Sequence, residues 1–296
     1  MTGPENIRLS GGFMVLLRAL GHAIRHHRLS TIGFFIILFL VATAAFAPLL
    51  APYEPYEQDL YNVLSGPSAA HWLGTDNVGR DLLSRFLYGG RVSLLLGLVS
   101  TLLAAAIGVS LGLLAGFKGG LIDAAIMRVV DAILCFPFLV FLLAMAAALG
   151  GGLINLGGAL VLFGWVFFAR IVRGQVLLVR ELPYVEAARA AGASSARLMW
   201  RHILPNTLAP VIVAITLGIG NAILAESAIS FLGLGVQPPT ASWGKELKSG
   251  FDNLELAPLY SIVPGILITL SVLACNFLGD GLRDALDPRL RGEERR

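Results

Sequence analysis

Apolar, uncharged runs recur along the chain at lengths that suit membrane crossing. Thr31–Tyr53 and Val92–Phe117 contain no charged side chain. Further along, Thr207–Ala225 continues a few residues past Glu226, and Pro258–Gly279 forms the last such run. Because a helix of about 20 apolar residues crosses the hydrocarbon core of a bilayer, each run predicts one membrane span.

The middle of the chain holds an apolar run that is too long for a single crossing. Ala132–Ala169 carries no charge and is interrupted by GGLINLGG at Gly151–Gly158. The run therefore predicts a hairpin of two spans, at 132–149 and 154–171. In lipid only helices and closed barrels satisfy the backbone, and these runs lack the alternation of barrel strands. The pattern predicts an all-α integral membrane protein with six transmembrane helices, in contact with membrane lipid.

The composition agrees with this prediction and excludes several other classes. Hydrophobic residues make up 56% of the 296 residues and charged residues only 14%, against about 25% charged in soluble domains. The basic residues are scattered, so no nucleic-acid partner is expected. Both cysteines lie in apolar runs and the five histidines have no ligand spacing, so neither a metal site nor a cofactor is predicted.

The distribution of the 22 Lys and Arg residues predicts the orientation. Loops on the cytoplasmic side of membrane proteins carry an excess of these residues. With a cytoplasmic N-terminus, 17 of them fall on the cytoplasmic side. The exceptions are Arg80, Arg85, Arg91, Lys245 and Lys248. Both termini are therefore predicted to be cytoplasmic.

These boundaries predict the organisation of the whole chain. Phe13–Leu29 has apolar residues at helical spacing, which favours a helix on the membrane surface, with an ordinary basic flank as the alternative. The predicted units are a cytoplasmic amphipathic segment (1–30), the first transmembrane helix (31–53), a periplasmic loop (54–90), a five-helix core (91–281) with a cytoplasmic loop at 173–206, and a cytoplasmic tail (282–296).

Two features outside the apolar pattern concern packing. In the first outer loop, Gly74–Gly79 predicts a turn with Thr75, Asp76 and Asn77 as available caps. RDLLSRFLYG then predicts a short amphipathic helix, used for packing or for contact with an outside partner. The second span carries glycines at every fourth position, which predicts close approach of another helix. These are Gly108, Gly112 and Gly116.

Polar side chains inside the predicted spans are candidates for lining a polar passage. Glu226 is the only carboxylate well inside a span, and Asn221 and Asn276 are weaker candidates. Intramembrane charges usually face a cavity or a paired group, although Glu226 is also close enough to the outer interface to reach water. The chain has no phosphate-binding loop and no hydrolase or metalloprotease motif, so no catalytic residue is predicted. A protein of this kind that moves a solute uphill takes its energy from another subunit.

The stretch YVEAARAAGASSARLMWRHILPN, from Tyr184 to Asn206, is too polar to span and predicts helix, turn and helix. Pro183 suits a helix start and Gly192 a left-handed stop. Ser194 or Ser195 can cap a second helix through Ala196–His202. The first helix is narrow and rich in alanine, which suits insertion into a cleft on another protein.

The same stretch resembles the EAA loop of bacterial ABC-importer permeases, in which Glu-Ala-Ala, three residues, Gly and nine residues precede Ile-x-Leu-Pro. The matching residues are Glu186, Ala187, Ala188, Gly192, Leu204 and Pro205, and His202 replaces the family's Ile. LGTDNVGRDLLSR, FLGLGVQPP, SWG and GDGLRDALDPRL are similar to the dipeptide and oligopeptide subfamily, C-type subunit. The resemblance extends over nearly the whole chain from about residue 20.

The resemblance implies a type I importer permease in a bacterial inner membrane, without ATPase activity of its own. A homologous B-type permease would complete the pathway as a heterodimer. Two cytosolic ATP-binding subunits would hydrolyse ATP, with the EAA loop seated in a groove of the ATPase, and an extracytoplasmic binding protein would deliver di- or oligopeptides. Nickel, glutathione or another small solute remains an alternative cargo. A membrane scaffold or sensor that transports nothing is the alternative outside transport.

Overall fold

The computed structural model of the protein describes residue 21 and residues 27–286. Within this part, regular structure is helical apart from one isolated bridge between Thr75 and Asp81. The predicted surface helix Phe13–Leu29 lies almost entirely outside the described residues, as do the last ten residues of the predicted tail.

The first predicted span is shorter than its apolar run. Helix α1 covers Arg28–Ala45, and a short helix α2, Ala47–Leu50, follows after Phe46. Pro48 has no N–H to bond the preceding turn, so the long helix ends ahead of it and the proline takes an N-terminal position in α2. The prediction of one continuous helix over 31–53 is wrong at this point.

Helix α3 covers Leu82–Lys118, longer than the predicted span Val92–Phe117. The amphipathic helix expected from RDLLSRFLYG is the beginning of α3 and not a separate element. The cap is also different from those expected, because the Asp81 side chain accepts a hydrogen bond from the Ser84 backbone N–H at 2.8 Å. Gly119 ends the helix with a φ of +65°, a conformation that glycine adopts readily.

The third predicted span is bent. Helix α4 covers Gly120–Leu134 and α5 covers Phe138–Leu149, and their axes differ by 86°. Pro137 lies at the bend, where it disfavours helical conformation in the residue before it and provides no N–H for the turn. The predicted straight span 132–149 is therefore replaced by two helices, which together provide one broken span or a re-entrant segment.

Three glycines, Gly150–Gly152, separate α5 from helix α6, which covers Leu153–Val179. The predicted hairpin break is confirmed, but it is shorter than GGLINLGG. Gly157 and Gly158 lie within α6.

From Arg180 to Leu286, where the described residues end, the chain contains six helical elements. Short helices α7, Pro183–Ala190, and α8, Ser195–Arg197, precede a π-helical turn, Leu198–Ile203, which runs directly into α9. The last three are α9, Leu204–Phe231, α10, Trp243–Phe251, and α11, Pro258–Leu286.

Helices α3 and α6 form the most extensive helix pair, and the predicted glycine face of α3 lies in their contact. A Cβ atom on Gly112 would lie 2.5 Å from the Ala169 carbonyl oxygen, and one on Gly116 would lie 2.8 Å from the Val176 Cβ. Both distances are shorter than van der Waals contact allows. The prediction of close helix approach is confirmed, because any side chain at these positions would separate the two helices.

Five described helices, α1, α3, α6, α9 and α11, are long and apolar enough to cross a membrane, and the bent pair α4–α5 brings the number to six. Helix α9 qualifies together with the short helical turns that precede it. Many large apolar side chains on these helices are exposed, among them Phe35, Phe39 and Leu103. This arrangement agrees with six predicted crossings and with lipid around the bundle.

Candidate functional site

Helix α7 projects from the bundle and touches it through few side chains. Val185 is fully buried and packs with Leu198 and Ile203, whereas Glu186, Ala187 and Arg189 are exposed. Within the described residues, the Glu186 carboxylate forms no ion pair or hydrogen bond. The exposed face of α7 therefore carries the small side chain of Ala187 with the charged side chains of Glu186 and Arg189 beside it. This face is here called the alanine ridge.

The turn after α7 follows the sequence prediction. Gly192 has a φ of +83°, and no other atom lies within 4 Å of the position a Cβ would take. Backbone conformation, and not space, is therefore the reason for glycine at this position. The Ser194 side chain accepts a hydrogen bond from the Arg197 N–H at 3.4 Å and starts the second helical segment, as predicted.

That second segment is a π-helical turn and not the α-helix expected over Ala196–His202. The Leu204 N–H donates to the carbonyl of Met199, five residues back, which is the π-helical pattern. Pro205 follows and has no N–H to offer the preceding turn. The π-helical turn joins α9 without a break, so the second part of the loop and this helix form one continuous helical segment.

His202 takes part in this junction through its backbone. Its carbonyl oxygen accepts hydrogen bonds from the Tyr184 hydroxyl, at 3.3 Å, and from the Asn206 side-chain amide, at 2.7 Å. Partial burial raises the pKa of Tyr184, which keeps the hydroxyl protonated and able to donate. Both contacts use the backbone of His202 and not its imidazole.

A cavity of about 1000 Å³ extends along α9. Its wall includes positions from Asn206 to Ala228 on α9, and at about 1.5 Å per residue this is close to the thickness of a bilayer core. Helices α3, α5, α6 and α11 and the last residue of α4 complete the wall, which is mostly apolar with a few polar groups and two charged side chains, Asp280 and Arg283. The aromatic residues lining it are Phe138, Phe163, Phe167 and Phe168.

The three polar residues predicted to line a passage lie in different environments. Asn221 is exposed on the cavity wall, and its side chain has no hydrogen-bond partner among the described residues. Glu226 is fully buried away from the cavity, with hydrogen bonds from Ser93 at 3.0 Å and Ser230 at 2.8 Å. Asn276 is half-buried on α11 and does not line the cavity either.

The opposite end of the bundle carries a structure that the sequence did not reveal. Residues 53–81 and 232–257 form a cap over the ends of the helices, here called the loop cap. Arg85, at the beginning of α3, is fully buried and donates to Glu246 of α10 at 2.6 and 3.2 Å, and to the Pro55 carbonyl at 2.9 Å. Asp76 also lies 3.5 Å from its guanidinium.

Tryptophan and glycine residues fix α10 against α3. The Trp243 ring N–H donates to the Phe86 carbonyl at 3.0 Å, and a Cβ on Gly90 would lie 2.9 Å from the indole ring. Ser242 caps α10 by accepting from the Lys245 N–H. The SWG and TDNVGRD motifs therefore build the loop cap.

Comparison with known proteins decides the family. The family model described as "Binding-protein-dependent transport system inner membrane component" matches residues 108–292, which is more than half of the chain. The chain belongs to this family. A second model, the N-terminal transmembrane domain of oligopeptide transport permease C, matches residues 18–67. The protein is thus a permease component of a binding-protein-dependent importer, located in the inner membrane, and members of this family are transport proteins, not catalysts.

Named relatives of this permease are similar over most of their length. The chain is 43% identical to a glutathione transport system permease of Pectobacterium atrosepticum, over 90% of this chain and 89% of the relative. It is also 43% identical to a dipeptide transport system permease of Alkalihalophilus pseudofirmus, with 90% and 88% covered. The corresponding dipeptide permease of Bacillus subtilis is 42% identical, with 90% and 84% covered.

A solved structure supports the predicted type I fold of the permease. A chain of the inward-facing MetNI methionine ABC transporter superposes with a TM-score of 0.55 at 21% identity, covering 68% of this chain and 96% of that one. At this identity the likeness concerns the fold alone.

Proposed function

We propose that this permease is the C-type half of an ATP-driven peptide importer and forms the pathway together with a homologous B-type permease. The cavity along α9 supplies one wall of that pathway, with Asn221 as a polar lining residue. Glu226, which hydrogen-bonds Ser93 and Ser230, supports the wall from behind instead of facing the solute. Asn276 stays a weaker candidate, because a conformational change would be needed to bring it to the cavity.

The observation that carries this proposal is the exposed alanine ridge of α7, which is anchored through Val185 and is connected by the turn at Gly192 to the helical segment that runs into α9. Two separate cytosolic ATPase subunits hydrolyse ATP, and one of them receives α7 in a groove. Glu186, Ala187, Ala188 and Gly192 form the docking helix and its stop, and Leu204 and Pro205 begin the helix that carries the movement. Closure of the ATPase pair then moves α9 as a rigid body.

The proposed orientation places α7 and both termini in the cytoplasm and the loop cap on the outside. Arg170, Arg173, Arg180 and Arg189 are near the α7 end of the bundle, which agrees with the excess of positive charge on cytoplasmic loops. An extracytoplasmic binding protein would then deliver the solute to the loop-cap side.

The proposed cargo is a small peptide, including glutathione. The printed names of the relatives refer to dipeptide and glutathione transport. Nickel is less well supported, because no group of three or more potential metal ligands occurs in the part of the chain that the structure describes. The cavity also favours transport over a scaffold role, which would not need a solute-sized opening along a membrane helix.

The experiment that tests the coupling role uses the complete transporter in proteoliposomes with its binding protein. A double variant, Glu186→Ala with Gly192→Ala, should abolish ATP-dependent uptake of a labelled dipeptide while the complex still assembles in the membrane. Unchanged uptake by the double variant would refute the coupling role. Calorimetry of the cognate binding protein tests the cargo, since tight binding of nickel with no binding of peptides would overturn the peptide assignment.

A further inference from the structure

Among the described residues that line the cavity along α9, charged side chains occur at one place. These are Asp280 and Arg283 of α11, and both are exposed. They lie on the same end of the cavity as Gln175 and Asn206. The rest of the wall is apolar or carries uncharged polar groups, so this end alone presents a full positive and a full negative charge.

Within the described part of the chain, these two side chains are unpaired although their spacing favours pairing. Opposite charges three positions apart on a helix are neighbours and commonly interact. Within the described residues, however, Asp280 and Arg283 form no ion pair or hydrogen bond, either with each other or with another group. Nearby charges do pair: Arg173 binds Asp123 at 2.5 Å, and Asp284 lies 3.7 Å from His27. Asp280 and Arg283 therefore remain available for a ligand.

The spacing of Asp280 and Arg283 along the helix fits the two charged termini of a short zwitterion. Cβ atoms three positions apart on a helix are separated by about 5–6 Å. A fully extended dipeptide spans at most about 7 Å, so its ammonium and carboxylate can reach both side chains at once. Hydrogen bonds between two ionised groups are stronger than neutral ones, and the apolar wall of the cavity can accept the peptide's own side chains.

We propose that Asp280 and Arg283 bind the ammonium and the carboxylate of a dipeptide-sized zwitterion at this end of the cavity. The site rests on the proposed transport function and narrows it to cargo with both charges close together. A long oligopeptide cannot bring its two termini to one helical turn without folding back. A metal cation has no negatively charged group for Arg283 to bind.

The test measures binding to the assembled transporter in nanodiscs, without nucleotide and without the binding protein, by ligand-observed NMR. The probes are Ala-Phe, N-acetyl-Ala-Phe and Ala-Phe amide. We expect Asp280→Asn to weaken binding of Ala-Phe and of its amide about tenfold and to leave the N-acetyl probe unaffected. Arg283→Gln should weaken Ala-Phe and the N-acetyl probe by a similar factor and leave the amide unaffected.

Asp284→Asn is the matched control, because Asp284 is the next carboxylate on α11 and does not line the cavity. It should bind all three probes as the wild type does. The site would be overturned if every variant bound each probe with the affinity of the wild type. It would also be overturned if Asp284→Asn lost as much affinity as Asp280→Asn or Arg283→Gln. Reduced uptake with unchanged binding would overturn it too and would assign the pair to gating.

The result also separates this inference from the proposed function. A wild-type transporter that takes up Ala-Phe but shows no binding dependent on these charges refutes the site alone. A transporter that takes up no peptide under any condition refutes the proposed cargo and the site together.

Discussion

At the loop cap, a pair of opposite charges is buried, whereas on the coupling loop around α7, here the segment from Tyr184 to Asn206, the charged side chains are exposed and form no ion pairs among the described residues. Arg85 and Glu246 have almost no accessible surface and contact each other directly. Arg189, Arg197 and Arg201 of the coupling loop are all exposed. The loop cap thus contains a buried ion pair, whereas the coupling loop presents its charges to solvent.

The conformation of the loop cap is fixed by contacts within this chain, whereas we expect that of the coupling loop to depend on a partner. The loop cap joins α3, α10 and α11 through buried polar contacts, which hold one arrangement because any other leaves a charge without a partner. Helix α7 of the coupling loop has one buried side chain, Val185, and an exposed surface with few contacts of its own. Substitutions should therefore affect stability at one end and coupling at the other.

Breaking the buried pair in the loop cap should have the largest effect. Arg85→Met leaves Glu246 buried without its cation, and removing one partner of a buried pair costs about 3–5 kcal/mol. We expect a large loss of folded protein in detergent, measured by fluorescence-detected size-exclusion chromatography after heating.

The control is the double variant Arg85→Met with Glu246→Met, which removes both charges. It should recover much of the lost stability, since Asp76 keeps its ion pair with Arg80. A double variant no more stable than the single one would show that the pairing of these charges does not determine the stability of the cap.

A bulky residue on the ridge of α7 should produce the opposite result. Ala187 is exposed, so Ala187→Phe should change the free energy of unfolding by no more than about 0.5 kcal/mol. In the reconstituted transporter it should reduce dipeptide uptake at least about tenfold, because a ring at this position prevents the helix from entering a groove. Ala187→Ser, which stays small, should transport normally. Normal uptake by the Phe variant would mean that the ridge does not dock.

Smaller effects are expected where α7 joins α9. Tyr184→Phe removes the hydrogen bond to the His202 carbonyl, and one such bond contributes about 0.5–1.5 kcal/mol. We expect the amount of ATP hydrolysed per dipeptide imported to rise about two- to threefold, while assembly of the transporter is unchanged.

His202→Ile keeps the carbonyl and should leave that ratio unchanged, which makes it the matched control. A strong defect in the Ile variant would assign the role to the imidazole instead of the backbone.

The sequence predicted features that depend on local pattern. The membrane spans follow from the length of apolar runs, and the stop at Gly192 follows from a residue that tolerates positive φ. The bend at Pro137 was missed because hydropathy is continuous across it, although the proline itself is a local signal for a break.

Long-range pairing could not be predicted in the same way. Arg85 and Glu246 are 161 positions apart, and nothing in either segment indicates that they meet. Glu226 looked like a pathway residue because a carboxylate in a span usually faces a cavity. Only the fold shows that serines from α3 and α9 surround it.

The smallest expected difference between the loop cap and the coupling loop is in their hydration. The pKa of Lys245 in α10 measures the hydration of the loop cap. Partial burial lowers the pKa of Lys245 to about 8, with Arg85 and Arg80 adding to the effect and the carboxylate of Glu246 opposing it. An unfolded lysine titrates near 10.4, so the unfolded chain binds more protons at this residue between these two values. Its contribution to stability therefore rises from pH 8 to about 10.4 and is least favourable below 8.

Only the uncharged amine reacts with acylating reagents, so the extent of labelling at Lys245 follows its pKa. In the folded transporter, labelling detected by peptide mass spectrometry should rise with a midpoint near pH 8. Lys245→Arg, which should not be acylated, confirms the assignment of the peptide. A midpoint near 10.4 would show that water reaches this part of the loop cap as freely as it reaches the coupling loop, and the contrast in hydration between the two ends would then be wrong.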